Sequence, residues 1–123
     1  MNYSIVHKEK IVIISTESEK LIAANAPELK TEFVNLNKEG HKNIIVDMSK
    51  TRYCDSSGLS ALLVGNRLCK ASNGSFLLCN LQDMVVKLLG ISKLNTIINS
   101  TPTLNEAMEY IFMEEVEREF SEE

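Results

Sequence analysis

The densest run of reactive side chains is Cys54-Asp55-Ser56-Ser57-Gly58-Leu59, which sets a thiol, a carboxylate and two hydroxyls on consecutive residues. Such a string could serve nucleophilic catalysis, divalent-cation binding or modification of a hydroxyl. A serine nucleophile needs a base, and the only histidines, His7 and His41, lie far upstream. Ser57 also lacks the Gly-x-Ser-x-Gly elbow that exposes such a nucleophile. The Cys54 thiolate is disfavoured by the charge of Asp55 beside it. Asp47 and Asp55 could meet near strand ends and hold Mg²⁺, but loop hydrogen bonding and helix capping are the simpler roles for both. No glycine-rich phosphate loop with a lysine is present, so the chain offers no nucleotide cradle of that kind. No catalytic, cofactor or metal site is therefore expected.

What remains is a hydroxyl-rich helix start. Asp55 or Ser56 can cap the helix, which places Ser57 in its first turn with the hydroxyl exposed. Gly58 costs about 1 kcal/mol there relative to alanine, and a small residue lets another backbone or molecule come close. Gly58, Ser60, Ala61 and Gly65 leave a helix of low relief, which suits docking better than solvation.

The elements that must position this string follow from the apolar pattern. Tyr3–His7 and Lys10–Ser15 read as a hairpin of two strands, and Leu21–Ala24 as a brief extended piece. Asn25-Ala26-Pro27-Glu28 is a helix start with a cap, a first-turn proline and an acid three residues on. Ala26, Leu29, Phe33 and Leu36 then share one face, and Gly40 ends the helix. Asn43–Met48 is a continuous apolar run, the pattern of a strand covered on both faces. Ser49–Asp55 reads as a loop and Ser56–Ser72 as a helix. Ser75–Cys79 is a second buried strand. Asn80 caps a compact helix, with Met84, Val85, Leu88 and Leu89 inward and Gly90 at its end. Thr96–Asn99 reads as an edge strand, and Thr103-Leu104-Asn105-Glu106 as a capping box. The last helix carries Leu104, Ala107, Met108, Ile111 and Phe112 on its inner face, with Val116 and Phe120 extending the stripe.

Strands alternating with helices predict an α/β fold. The sheet is mostly parallel with four or five strands, about four helices surround it, and the first strand or two lie at an edge. The expected division is a domain over 1–112 and an acidic helical extension or tail over 113–123.

Length and charge narrow the classes further. At 123 residues with 44% hydrophobic content, the chain fits one globular domain. The longest apolar runs fall far short of the roughly 20 residues that span a bilayer, and the first ten residues are too polar for a secretory signal. A cytoplasmic protein is expected. The formal charge is −4, and Glu109–Glu123 alone holds seven Glu and one Arg. An acidic end without a compensating basic stripe disfavours direct nucleic-acid binding. Cys54, Cys69 and Cys79 form no Cys-x-x-Cys pair, and reduced, buried thiols are expected rather than zinc ligands.

The stretch Ile44-Ile45-Val46-Asp47-Met48-Ser49, followed by Tyr53-Cys54-Asp55-Ser56-Ser57-Gly58-Leu59-Ser60-Ala61-Leu62, closely resembles the signature of the STAS domain family of bacterial anti-sigma factor antagonists. Ala26-Pro27-Glu28-Leu29 and Leu88-Leu89-Gly90-Ile91 look like that family's first-helix start and third-helix end, so the resemblance spans roughly residues 3–112. Two features depart from it: Leu21-Ile22 stands where members often carry an acid, and the acidic extension lies outside the common core. The resemblance implies that Ser57 takes a phosphate from its own partner, an anti-sigma factor with an ATP-binding serine kinase fold, and that a serine phosphatase removes it. Asp55 and Ser56 would hold the loop and helix start, while Ser57, Gly58, Leu59, Ser60, Ala61 and Leu62 meet the partner. Unphosphorylated, the protein would bind the kinase and free a sigma factor for transcription; phosphorylated, it would let go. The alternative is a STAS-type scaffold or accessory subunit of a stress-signalling or lipid-transport complex.

Overall fold

Apolar residues in unbroken strand runs demand cover on both sides, and helices on the two faces of the sheet supply it. The computed structural model describes residues 2–121. Strands β1 (Tyr3–Lys8), β2 (Ile11–Thr16), β4 (Ile44–Asp47), β6 (Phe76–Cys79) and β7 (Asn99–Thr101) form one sheet in the order β1-β2-β4-β6-β7. Only the β1–β2 hairpin is antiparallel; the other neighbours are parallel. Residues 20–21 (β3) and 53–54 (β5) add a separate parallel pair.

Alternation along the inner strands divides the core. Val12, Ile14, Ile44, Val46, Phe76 and Leu78 face α1 (Ala26–Lys38), α2 (Ser56–Ala71) and α3 (Asp83–Ile91). Ile13, Ile45, Leu77 and Cys79 face α4 (Leu104–Ser121) on the other side. Phe33 of α1 and Phe76 of β6 meet edge to face at 5.5 Å, and Gly65 makes room for them. A Cβ there would lie 2.6 Å from the Phe76 ring and 2.8 Å from that of Phe33.

The elements confirm most of the pattern and correct it in places. Asn25 stands at the start of α1, but its Oδ1 accepts from Ile22 N–H at 2.8 Å instead of capping the helix. Asn80 does not cap α3 either. It adopts a left-handed backbone with φ 55°, and Gln82 occupies the cap position. With that start, Val85 and Leu89 are buried and Leu88 half-buried, while Met84 faces solvent. The helix runs one residue past Gly90, and the left-handed residue behind it is Lys93. Residues 94–96 form a 3-10 turn, so the last strand lies at 99–101 rather than 96–99. The Thr103 hydroxyl does accept from Glu106 N–H at 3.2 Å, one half of the expected capping box.

α4 continues without a break through Ser121, so the expected division at residue 112 falls inside one helix. Its second half is tied to the sheet. Asn43 Nδ2 donates to Glu115 Oε1 at 2.6 Å, Ser75 Oγ to Glu114 Oε1 at 2.6 Å, and Arg118 to Asn43 Oδ1 and Ser75 Oγ. Burial opposes ionisation of Glu115, but the bonds from Asn43 and Arg118 outweigh it and hold the carboxyl below its ordinary range. Phe112 points out of the core, on the flank of α4 beside Ile11 rather than on the line of Ala107 and Ile111 that packs on the sheet. Glu122 and Glu123 of the acidic end lie outside the described residues.

Candidate functional site

β4 delivers the chain to the carboxyl edge of the sheet, where open α/β sheets gather their functional loops. Asp47 ends that strand, and its Oδ1 accepts from Ser49 N–H at 3.0 Å and Asn80 Nδ2 at 3.2 Å. The segment expected to be a loop over 49–55 contains β5, whose pairing with β3 carries the chain into α2.

Asp55 is the N-cap of α2. One carboxylate oxygen accepts from Gly58 N–H at 2.9 Å, and the other from Ala23 N–H at 3.0 Å in the segment between β3 and α1. The Gly58 amide foremost, with those of Ala23 and Ser57, holds the Asp55 carboxyl below its usual range. Both oxygens are thus engaged with amides, as is Asp47 Oδ1. Among the described residues no group of three His, Cys, Asp or Glu comes together, and Asp47 and Asp55 make the hydrogen bonds and the cap named above.

Ser56 and Ser57 are the first two residues of α2, with Ser56 exposed and Ser57 half-buried. Among the described residues no acceptor binds the Ser57 hydroxyl, so it is free to react or to be modified. Gly58 is buried, and the backbone that it admits is the chain's own. A Cβ at Gly58 would collide with the Leu21 carbonyl, whose oxygen accepts from Asp55 N–H at 3.2 Å. Of the two approaches expected there, by another backbone or by another molecule, the chain's own β3 makes the first. Ala61 and Leu62 are wholly buried as well. The small-residue stripe of α2 therefore faces inward, and Gly58, Ala61 and Leu62 leave the surface expected to meet a partner. Asp55, Ser56, Ser57 and Ser60 remain accessible at least in part, and Leu59 is half-buried.

Cys54 is buried, and burial, more than the Asp55 charge, pushes its thiol up to about 12. Cys69 and Cys79 are likewise buried and free, with burial as the leading cause of their high values, about 12 each. His7 and His41 pack on each other at 5.1 Å. His7 pairs with Val12, which pairs with Ile44 at the beginning of β4. They therefore sit at the opposite end of the sheet from Ser57, and no serine–histidine arrangement forms.

Sequence reasoning did not anticipate the charged rim beside this site. Glu17, Glu19, Ser49, Lys50, Arg52 and Gln82 line an open cleft at the same carboxyl edge. Lys50 Nζ and Glu17 Oε2 pair across it at 2.6 Å. Tyr53 and Met84 add exposed apolar surface on β5 and on α3, which packs against it. Lys50 and Arg52, just ahead of the Asp-Ser-Ser string, were the available signal; the glutamates come from a different strand end.

The comparisons agree with this architecture. The sequence profile of the STAS domain matches residues 2–107, and the chain belongs to that family. A candidate anti-sigma factor antagonist from Thermotoga maritima superposes with a TM-score of 0.84 at 24% identity, over 89% of this chain and 93% of that one. The Bacillus cell fate determinant SpoIIAA in its phosphorylated form gives 0.69 at 20% identity, over 89% and 98%. A sulfate transporter family protein from Wolinella succinogenes gives 0.76 at 18% identity, over 89% and 90%. The shared fold therefore extends across proteins of different employment. Among the described residues no helix is long and apolar enough to cross a membrane.

Proposed function

We propose that this STAS domain is an anti-sigma factor antagonist switched by phosphorylation of Ser57. The observation that carries the reading is the placement of Ser57: second residue of α2, half-exposed, its hydroxyl without an acceptor among the described residues, behind a cap fixed by both oxygens of Asp55. A phosphate adds about −1.5 to −2 charges and three acceptor oxygens. At a helix N-terminus the dipole and first-turn amides accommodate that charge, so the fold survives. A docked partner does not share this tolerance, because the new charge stands beside the ionised Asp55. Like-charge juxtaposition at an interface costs several kcal/mol, and a penalty of about 3 kcal/mol lowers affinity more than 100-fold.

In this reading the partner is an anti-sigma factor that supplies the ATP-binding serine kinase fold, a serine phosphatase resets the switch, and both act in the cytoplasm. Sigma-factor-dependent transcription is the output. The contact surface is Ser56, Ser57 and Ser60 with the half-buried Leu59, supported from beneath by Asp55. The test is a pull-down with wild-type, Ser57→Ala and Ser57→Asp baits, with intact-mass analysis of the bait after Mg-ATP. An ATP-binding anti-sigma protein held by the first two baits and lost by the third, with one phosphate that requires Ser57, supports the switch. Equal capture of transporter or scaffold proteins by all three, with no phosphate, refutes it in favour of an accessory role.

A further inference from the structure

At the end of the sheet away from Ser57, two imidazoles that are far apart in sequence meet. His7 lies on β1 opposite Val12, and His41 follows α1. Their ring centres are 5.1 Å apart and their planes are tilted by 57°. Among the described residues neither ring makes a hydrogen bond, so the ring nitrogens are open to an outside partner. His7 is exposed and His41 half-buried. Core packing therefore does not account for an aromatic pair here, whereas an ion can reach it from solvent.

The backbone holds both residues without help from their side chains. Gly40 closes α1 in a left-handed conformation, φ 93°, with its N–H donating to Asn37 O and His41 N–H donating to Leu36 O at 2.9 Å. That pair of bonds fixes the residue after the glycine. His7 is held by the β1–β2 ladder, and Val12 N–H across from it donates to Asn43 O, two residues beyond His41. Strand and loop are thus registered on each other.

The separation matches a shared ion. With a metal–nitrogen bond of about 2.1 Å and about 1.1 Å more to the ring centre, two imidazoles at a tetrahedral angle have centres about 5.2 Å apart. Rings stacked in parallel could not both direct a lone pair at one ion, and the tilt removes that obstacle. The pair also lies at the C-terminal end of the 13-residue α1, where the helix dipole favours a cation. Lys10 and Lys42 line a cleft with His41, and each is matched by a glutamate at 3.9 Å, Glu119 and Glu115 respectively. No third His, Cys, Asp or Glu joins the pair among the described residues, so water completes the coordination. Imidazole nitrogens select ions of the zinc, nickel and copper class over magnesium and calcium.

We infer that His7 and His41 form a two-imidazole site for one divalent transition-metal ion of the zinc class. An occupied site ties β1, which the sheet holds from one side only, to the loop between α1 and β4. It stands independently of the Ser57 reading.

The test is calorimetric titration of the untagged full chain with Zn²⁺, beside NMR of the imidazole nitrogens. The expected result is one ion per chain, with the nitrogen signals of both rings moving together. Tm is expected to rise with Zn²⁺, because the ion binds the folded arrangement. His7→Ala and His41→Ala should each weaken binding by at least the roughly 10-fold that loss of an outer-shell partner costs. Both side chains reach solvent, and circular dichroism confirms that the variants fold; the ring signals of the wild type decide the question without them. Mg²⁺ in place of Zn²⁺ is expected to leave both rings unmoved. Rings that do not respond up to about 1 mM Zn²⁺ overturn the inference. So does a response of one ring alone, binding that survives either substitution, an equal effect of Mg²⁺, or an ion shared between two chains in sedimentation.

Discussion

Replacing Gly58 with alanine sets two opposed effects against each other. Alanine in a helix gains about 1 kcal/mol over glycine. The new Cβ, however, is directed at the Leu21 carbonyl, which is backbone and cannot swing aside as a side chain would. That carbonyl accepts from Asp55 N–H, and Leu21 is itself paired with Cys54. Relief therefore requires α2 and β3 to move apart. Overpacking of this kind costs about 1–3 kcal/mol or more. Complete displacement of β3 would also forfeit the burial of Leu21, about 2–3 kcal/mol, together with the Ala23–Asp55 bond. A net loss of about 2 kcal/mol is expected, or a fall in Tm of about 5–10 °C for a domain of this size. Urea unfolding monitored by circular dichroism measures it. Gly90→Ala is the internal control: its Cβ meets nothing within 4 Å and its backbone is ordinary, so it should gain up to about 1 kcal/mol. If Gly58→Ala matches or exceeds the wild type while Gly90→Ala behaves as expected, the packing argument for α2 on β3 is wrong.

Further outcomes are expected from other contacts. The Asp55 carboxyl is held low in the folded state, so its contribution to stability is complete above the unfolded value of about 4 and is lost as pH falls through the folded value. Asp55→Ala should therefore be less stable than wild type at pH 7, with the gap closing below about pH 4 in urea titrations. Arg118→Ala removes donors to Asn43, Ser75 and Glu115, and a loss of about 2 kcal/mol is expected by the same measurement. Lys93 holds a left-handed backbone with φ 63° behind α3. Lys93→Gly should raise stability by about 1 kcal/mol, visible as a higher Tm.

The large elements were legible because their patterns are long. Asn43–Met48 and Ser75–Cys79 could only be strands covered on both faces, and the helices between them forced a parallel sheet. The site's location at a strand-to-helix junction followed from that order. Its inner construction did not. β3 and β5 are two residues each, too short for any period, and their pairing is a long-range event. Gly58 and Ala61 read as a smooth outward surface because a stripe of small residues does not say which side is crowded; Leu21 and the Phe33–Phe76 pair decide it. Asn80 carried a capping residue's chemistry, but the left-handed turn spent it on Asp47. Phe112 fitted the helical period and still faces outward, because it lies at the edge of the apolar stripe whose centre, Ala107 and Ile111, takes the contact with the sheet.

The clamp of Asp55 between Gly58 and Ala23 has a consequence for how Ser57 is presented. Tyr3 Oη donates to Asn25 O at 2.6 Å, Asn25 Oδ1 holds Ile22 N–H, and Ala23 N–H holds Asp55. The Asp55 cap ahead of the serine thus rests on the segment between β3 and α1, which the edge strand holds in turn. In the proposed switch, an enzyme acting on Ser57 would meet a folded epitope assembled from distant segments. A short peptide spanning the Asp-Ser-Ser-Gly string would carry the letters of that proposed substrate without its shape.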